Sequence, residues 1–130
     1  MNDKFLNEIK WGQNKILPII AQEFKTKKIL MLAWINFQAL QKTLSSGYVH
    51  YWSRSRKCIW KKGESSGNFQ ILKELRIDCD NDSFLAIVNQ VSNIACHTGR
   101  NSCFYKQITK GKIEIIEPVL KDPDEIYKKK

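Results

Sequence analysis

The sequence predicts a β-rich α+β domain with one main helix near residues 36–46. Two observations carry this. Short apolar runs recur along the chain, parted by polar connections with Gly or Ser, which is the pattern of strands and turns. One stretch alone, FQALQKTLSSG, sets apolar residues at helical spacing between a capping Asn and a closing Gly. No internal repeat or linker is visible, so residues 1–130 form a single domain, with about 105–130 a peripheral hairpin and charged tail.

Residues 15–35 read as a β-hairpin: the apolar run ILPIIAQEF, the polar connection KTKK and the second apolar run ILMLAWI. Asn36 suits a helix N-cap, because its short side chain can accept from a free N–H of the first turn. Phe37, Leu40 and Leu44 then share a helix face, and Gly47 closes the helix as a C-cap. YVHYWSR follows at once and is rich in β-formers. CIWKKGESSGN starts as a short strand and becomes a Gly/Ser loop. FQILKELRIDCD alternates Phe69, Ile71, Leu75 and Ile77 on one face, with Lys73 the exception. SFLAIVNQV is a buried strand or a short helix. SNIACHTGRNSCFYKQI is a loop leading into a strand, and KGKIEII makes a last hairpin around Gly111. EPVLKDPDEIYKKK, with two prolines and many charges, is a tail or a short terminal helix.

Hydrophobic residues are 42% and aromatics 11%, enough for one modest core and too many for a disordered tail. No apolar run is long enough to cross a membrane, and MNDKFLNEIKWG lacks the pattern of a signal peptide. A soluble cytoplasmic protein without membrane association is expected. The net charge of +9 favours an anionic partner. Part of the excess is local, in Lys128, Lys129 and Lys130 and around Lys25, Lys27 and Lys28. In a reducing compartment Cys58, Cys79, Cys96 and Cys103 are thiols or metal ligands sooner than disulfides. Their spacing is not the paired CxxC of a zinc ribbon.

Three stretches could carry chemistry. In IDCDNDS, an extended backbone would set Asp78, Asp80 and Asp82 on one face and Cys79 on the other. Clustered carboxylates repel unless a cation joins them, and all-oxygen ligands suit magnesium, whereas a thiolate suits zinc. The plain alternative is an acidic β-turn. In CHTGRNSC, Cys96 and Cys103 with Cys79 would leave a fourth tetrahedral position open, as catalytic zinc sites do; His97 is a fourth ligand or a proton carrier. A structural zinc or buried thiols is the alternative. HYWSRSRKCIWKKGESSGN interleaves Trp52 and Trp60 with Arg54, Arg56, Lys61 and Lys62, then offers Ser65 and Ser66 in a Gly loop. Such a stretch could hold phosphates, serve as a single-stranded nucleic acid platform, or be a basic surface strand.

LMLAWIN (30–36), YWSRSR (51–56), WKKGESSGN (60–68), DCDND (78–82) and ACHTGRNSCF (95–104) occur in order, and together they resemble the phosphoribosyl-AMP cyclohydrolase family of histidine biosynthesis. The match runs from about Trp11 to Phe104, and EPVLKDPDEIY resembles the family's tail. The resemblance implies hydrolytic opening of the adenine ring of 1-(5-phosphoribosyl)-AMP at the N1–C6 bond, the third step of the pathway, by zinc-activated water. It implies a strongly bent mixed sheet, a roll or pseudo-barrel, in an intertwined homodimer. It implies one zinc per subunit on Cys79, Cys96 and Cys103, with Cys79 shared across the dimer, and one magnesium on Asp78, Asp80 and Asp82. His97 matches a histidine regarded as important for activity. Trp52, Arg54, Arg56, Lys61, Lys62, Ser65 and Ser66 are candidates to hold the phosphorylated nucleotide.

The chain departs from the family pattern at Ser92 and Asn93, where glycines are frequent, and at Cys58, usually aliphatic, which reads as a small hydrophobe and not a ligand. It is expected to be the monofunctional form, too short for the pyrophosphohydrolase domain that some relatives carry. A zinc-stabilised nucleic-acid module would account for the charge but not for the three carboxylates, so a small-molecule substrate and no nucleic acid is expected. A zinc base deaminase would need H-x-E…P-C-x-x-C, which is absent.

Overall fold

The first hairpin forms where the two apolar runs lie. In the computed structural model, which describes residues 4–127, β1 (Leu17–Glu23) pairs antiparallel with β2 (Ile29–Ile35). Strand alternation turns Leu17, Ile19 and Ala21 into the core, and Glu23 with them. Lys128, Lys129 and Lys130 lie outside the described residues.

Asn36 caps α1 (Phe37–Ser46): its Oδ1 accepts from the Ala39 N–H at 2.9 Å. Gly47, at φ 80°, ends the helix and donates to the Thr43 carbonyl, as the C-cap reading expects. The helix buries Ala39, Leu40 and Thr43, and Thr43 Oγ1 accepts from the His50 N–H at 2.8 Å. That bond fastens α1 to a ribbon of β3 (His50–Ser53) and β4 (Cys58–Lys61), whose Tyr51 is fully buried. Cys58 is exposed at the start of β4, so it is not the packed small hydrophobe expected there.

β5 (Gln70–Ile77) and β6 (Phe84–Gln90) form an antiparallel hairpin, and β6 runs parallel to β1. The result is a mixed four-stranded sheet in the order β2-β1-β6-β5. SFLAIVNQV is thus a strand. Its consecutive buried Ala86, Ile87 and Val88 reflect an inner position covered on both faces. The expected alternation of β5 is corrected by a bulge. Leu72 pairs with Val88 and Glu74 with Ile87, so Lys73 is the extra residue and side-chain parity flips across it. Gln70 is buried and Leu72 and Leu75 pack on the core, whereas Ile77 is 40% exposed.

β7 (Lys106–Thr109) and β8 (Lys112–Ile115) make the last hairpin, turning on Lys110 and Gly111, both left-handed at φ 52° and 74°. Both strands are exposed throughout. Asp122 caps a short α2 (Pro123–Ile126), which returns Ile126 to a buried position. The β-rich α+β class, the mixed sheet and the one main helix stand as expected. Among the described residues, no helix is long and apolar enough to cross a membrane.

Candidate active site

The IDCDNDS stretch is a turn and not an extended strand, which corrects the alternation argument. The Asn81 N–H donates to the Asp78 carbonyl at 3.1 Å, and Asn81 is left-handed at φ 60°. Asp78 is the hub: its Oδ1 accepts from the Asp82 N–H at 3.0 Å and its Oδ2 from the Ser83 hydroxyl at 2.6 Å. Turn and cluster are not alternatives, because the fold-back itself gathers the carboxylates. Asp78, Asp80 and Asp82 each offer an oxygen within 4.8 Å of the others, the one such triad of ligand-type side chains among the described residues. The Ser83 hydroxyl and the Asp82 N–H hold the Asp78 carboxyl below its usual range. Asp82, although exposed, is pushed up, first by desolvation against its neighbours and then by the charge of Asp78. These oxygens suit a hard divalent cation.

The cysteine loop is built differently. Ala95 N–H donates to the Asn101 carbonyl and Cys96 N–H to that of Arg100, both at 3.1 Å, closing a narrow loop. Cys103 N–H then donates to the Leu30 carbonyl at 2.7 Å, and the buried Ser102 hydroxyl to that of Ile29 at 2.8 Å. These bonds pin the loop's far end to β2. Gly99 has no room for a side chain: a Cβ would lie 1.8 Å from the Lys121 carbonyl oxygen. Upstream, Ser92 and Asn93 are both left-handed, at φ 65° and 57°, so the chain takes with ordinary residues a backbone that suits glycine.

Cys96 is buried, and Cys103 beside it opens onto a cavity of about 400 Å³. Burial, then the neighbouring Cys96, pushes the Cys103 thiol up to about 12, against the pull of the Lys62 ammonium. Lys62 is itself lowered by desolvation, which outweighs both thiols, and its Nζ donates to the Ala95 carbonyl. Two thiols forced together in this way are held as thiolates readily only by a cation, and soft sulfur suits zinc. Cys79 lies on the acidic turn, exposed, and is not gathered with them.

A family profile described as Phosphoribosyl-AMP cyclohydrolase matches residues 31–105. A phosphoribosyl-AMP cyclohydrolase of Azoarcus sp. (strain BH72) is 57% identical over 125 residues, 95% of each chain. One from Nitrosococcus oceani is 51% identical over 95% of this chain and 93% of its own, and one from Nitrosomonas europaea 50% over 99% and 100%. The chain belongs to the phosphoribosyl-AMP cyclohydrolase family. It is an enzyme, as its motifs imply.

Of the cyclohydrolase positions expected to serve the site, Arg56, Lys61, Lys62, Ser65, Ser66, His97 and Cys103 line the one cavity. Trp52 and Arg54 do not. They open onto a neighbouring groove with Trp34, on whose ring the Arg54 guanidinium lies at 4.4 Å, and Trp60 borders both spaces. The loop carrying Ser65 and Ser66 is tight: Gly67 N–H donates to the Gly63 carbonyl at 2.7 Å, and a Cβ on Gly63 would meet the Phe69 nitrogen at 2.5 Å. Sequence reasoning missed Tyr127, which lines the cavity from beyond α2. An aromatic after an isoleucine in an otherwise charged tail was the available signal.

Proposed function

We propose that the chain opens the adenine ring of 1-(5-phosphoribosyl)-AMP at the N1–C6 bond, the third step of histidine biosynthesis, at a two-metal site completed by a second copy. The observation that carries this is the placement of the two ligand sets. The acidic turn follows Ile77 and the cysteine loop follows Gln90, at opposite ends of the β5–β6 hairpin. Those ends are roughly 23 Å apart at about 3.3 Å per residue. Cys79 therefore cannot join Cys96 and Cys103 within one subunit, and the three thiols meet only between two subunits.

An exposed apolar surface supports the homodimer. Ile108, Ile113 and Ile115 are 63–80% exposed on the β7–β8 hairpin, where a monomer would keep polar residues. The β3–β4 ribbon supports a strongly bent, roll-like closure. It meets one edge of the sheet through Val49 N–H to the Gln70 carbonyl, at 3.0 Å, and the Tyr48–Ile71 bridge, and it also lies against β2 at the other edge.

Zinc on Cys96, Cys103 and Cys79 of the second copy supplies, when bound, the Lewis acidity that makes water a nucleophile near neutral pH, and magnesium on Asp78, Asp80 and Asp82 supplies charge for a phosphate. His97, exposed on the cavity wall, moves a proton to or from the attacked ring. Arg56, Lys61, Ser65 and Ser66 hold a phosphate of the substrate, and Trp60 offers its face to the purine. Lys62, turned toward Ala95 and the cysteines, balances thiolate charge more than it reaches substrate. Arg54 and Trp52 serve the second phosphorylated arm from the neighbouring groove. The partner is thus a small phosphorylated nucleotide in the cytoplasm, not nucleic acid.

The test is to incubate the purified protein with phosphoribosyl-AMP, zinc and magnesium and to follow absorbance of the ring-opened product. Turnover that needs both metals is expected. No turnover with both present sinks the reading, and salt-sensitive oligonucleotide binding without turnover would support a binding module instead.

A further inference from the structure

Two of the walls that line the cavity come from distant parts of the chain. One is the 63–68 loop, and the other is the segment 94–97 that leads into the cysteine loop. Beneath them lies a buried polar chain that the chemistry above does not use. The Tyr51 hydroxyl donates to Gln70 Oε1 at 2.5 Å, and Gln70 Nε2 donates to Gln90 Oε1 at 2.8 Å. Gln90 Nε2 then donates to the Asn68 carbonyl and to the Ile94 carbonyl, each at 3.0 Å, with Phe69 and Val91 carbonyls at 3.3 and 3.5 Å. The Gln90 N–H donates to Oε2 of the buried Glu23 at 3.0 Å, which fixes the strand from which the side chain projects.

We infer that Gln90 is a positioning residue: its one amide group fastens both walls of the cavity and so sets the affinity for substrate. The chemistry of the amide supports this. Its two hydrogens go to one carbonyl in each wall, and its oxygen is occupied by Gln70, so the group is satisfied only while both walls stand in place. Gln70 is fully buried and Gln90 is 2% exposed. An apolar pair of the same shape would fill this volume at no desolvation cost, so packing alone does not call for two glutamines. Asn68 ends the loop that carries Ser65 and Ser66, and Ile94 stands two residues before Cys96 and three before His97. A shift at Gln90 therefore moves the phosphate-holding and proton-moving groups relative to each other.

The inference rests on the cavity being the substrate site, and the experiment separates the two. Gln90→Met keeps length and volume but removes both donors. In the metal-loaded enzyme, amide hydrogen exchange in residues 63–68 and 94–97 should quicken together, by about tenfold or more. KM should rise roughly ten- to a hundredfold, since small misplacements of this kind act on that scale. Gln70→Met, which takes the partner from Gln90 Oε1 and also from the Tyr51 hydroxyl but leaves both Gln90 donors in place, should shift both in the same direction by less, and it carries the test where Gln90→Met does not fold. Ile19→Val, a core control in β1, should lower the melting temperature with KM unchanged. Exchange that rises in one wall alone, or evenly over the chain, overturns the inference. So does coupled exchange with KM unmoved, provided Lys61→Ala raises KM. If Lys61→Ala also leaves KM unmoved, the cavity is not the substrate site, and the role in affinity falls with it.

Discussion

The acidic turn draws its three carboxylates from one run of five residues and folds them together with bonds inside 78–83, while Asn81 ties it to the preceding segment, donating to the Glu8 carbonyl at 3.1 Å and accepting from the Lys10 N–H at 2.8 Å. The cysteine cavity, at the other end of the same hairpin, needs β2, β4, the 63–68 loop, the 94–103 loop and Tyr127. One site is local and exposed. The other is assembled from afar and partly desolvated. The difference teaches that a cluster of hard oxygen atoms can be gathered within one short turn, whereas desolvating the Cys103 thiol beside a second sulfur needs a cavity that only tertiary packing makes.

The largest expected effect separates the two sites by metal. Cys96→Ser should abolish bound zinc and turnover together, with a loss beyond the roughly 10–100-fold typical of residues that merely support a ligand. Asp80→Asn should leave the zinc content unchanged and raise the magnesium needed for half-maximal rate. Elemental analysis beside the rate assay reads both, and loss of zinc in Asp80→Asn would break the division. His97→Ala should lose turnover with zinc kept; if zinc goes too, His97 is a ligand.

Next comes stability. Gly99→Ala should cost about 2–4 kcal/mol in a denaturant melt, from strain at positive φ plus overpacking. Its φ is 85°, and the Lys121 carbonyl blocks the Cβ. Asn81→Ala on the acidic turn should cost roughly 1 kcal/mol, the scale of a lost side-chain hydrogen bond with mild left-handed strain. Equal costs would remove the contrast between a local turn and a packed loop.

The smallest effect lies within the turn and concerns pH. Asp78 is depressed in the folded chain, so its contribution to stability is present above the unfolded value and lost as pH falls through its folded pKa. Asp82 is raised, so it takes up its proton first on acidification, and its charge costs stability above its folded pKa. Carboxyl-carbon NMR of the metal-free protein from pH 2 to 6 should show that order (range about the carboxylate reference values). Magnesium should draw the Asp82 midpoint down, and an unchanged midpoint would argue against Asp82 as a ligand.

Much of the molecule is legible in the sequence, for identifiable reasons. Asn36 and Gly47 bound α1 because capping is decided by residues within a turn of each end. Gly111 marks the last hairpin because its turn needs left-handed residues, and Lys110 is left-handed beside it. The ligand types in DCDND and CHTGRNSC are equally plain. Simple alternation misassigns the β5 faces because, although Lys73 stands out as the exception, its being an extra, bulged residue shows only in pairing with β6. Cys58 reads as a small hydrophobe because the family is usually aliphatic there, yet the residue that opens β4 faces solvent.

The sequence by itself determined the α+β class, the helix and its caps, and which residues could ligate a hard or a soft metal, since these follow from local periodicity and side-chain chemistry. Tertiary structure alone decided the rest. It set Cys96 against Cys103, kept Cys79 at the far end of a hairpin, parted Arg54 and Trp52 from the cavity, brought Tyr127 back into it and joined its walls through Gln90. The physical reason is distance along the chain. Contacts between residues tens of positions apart are fixed by how strands pair and bulge, which no short stretch of sequence encodes.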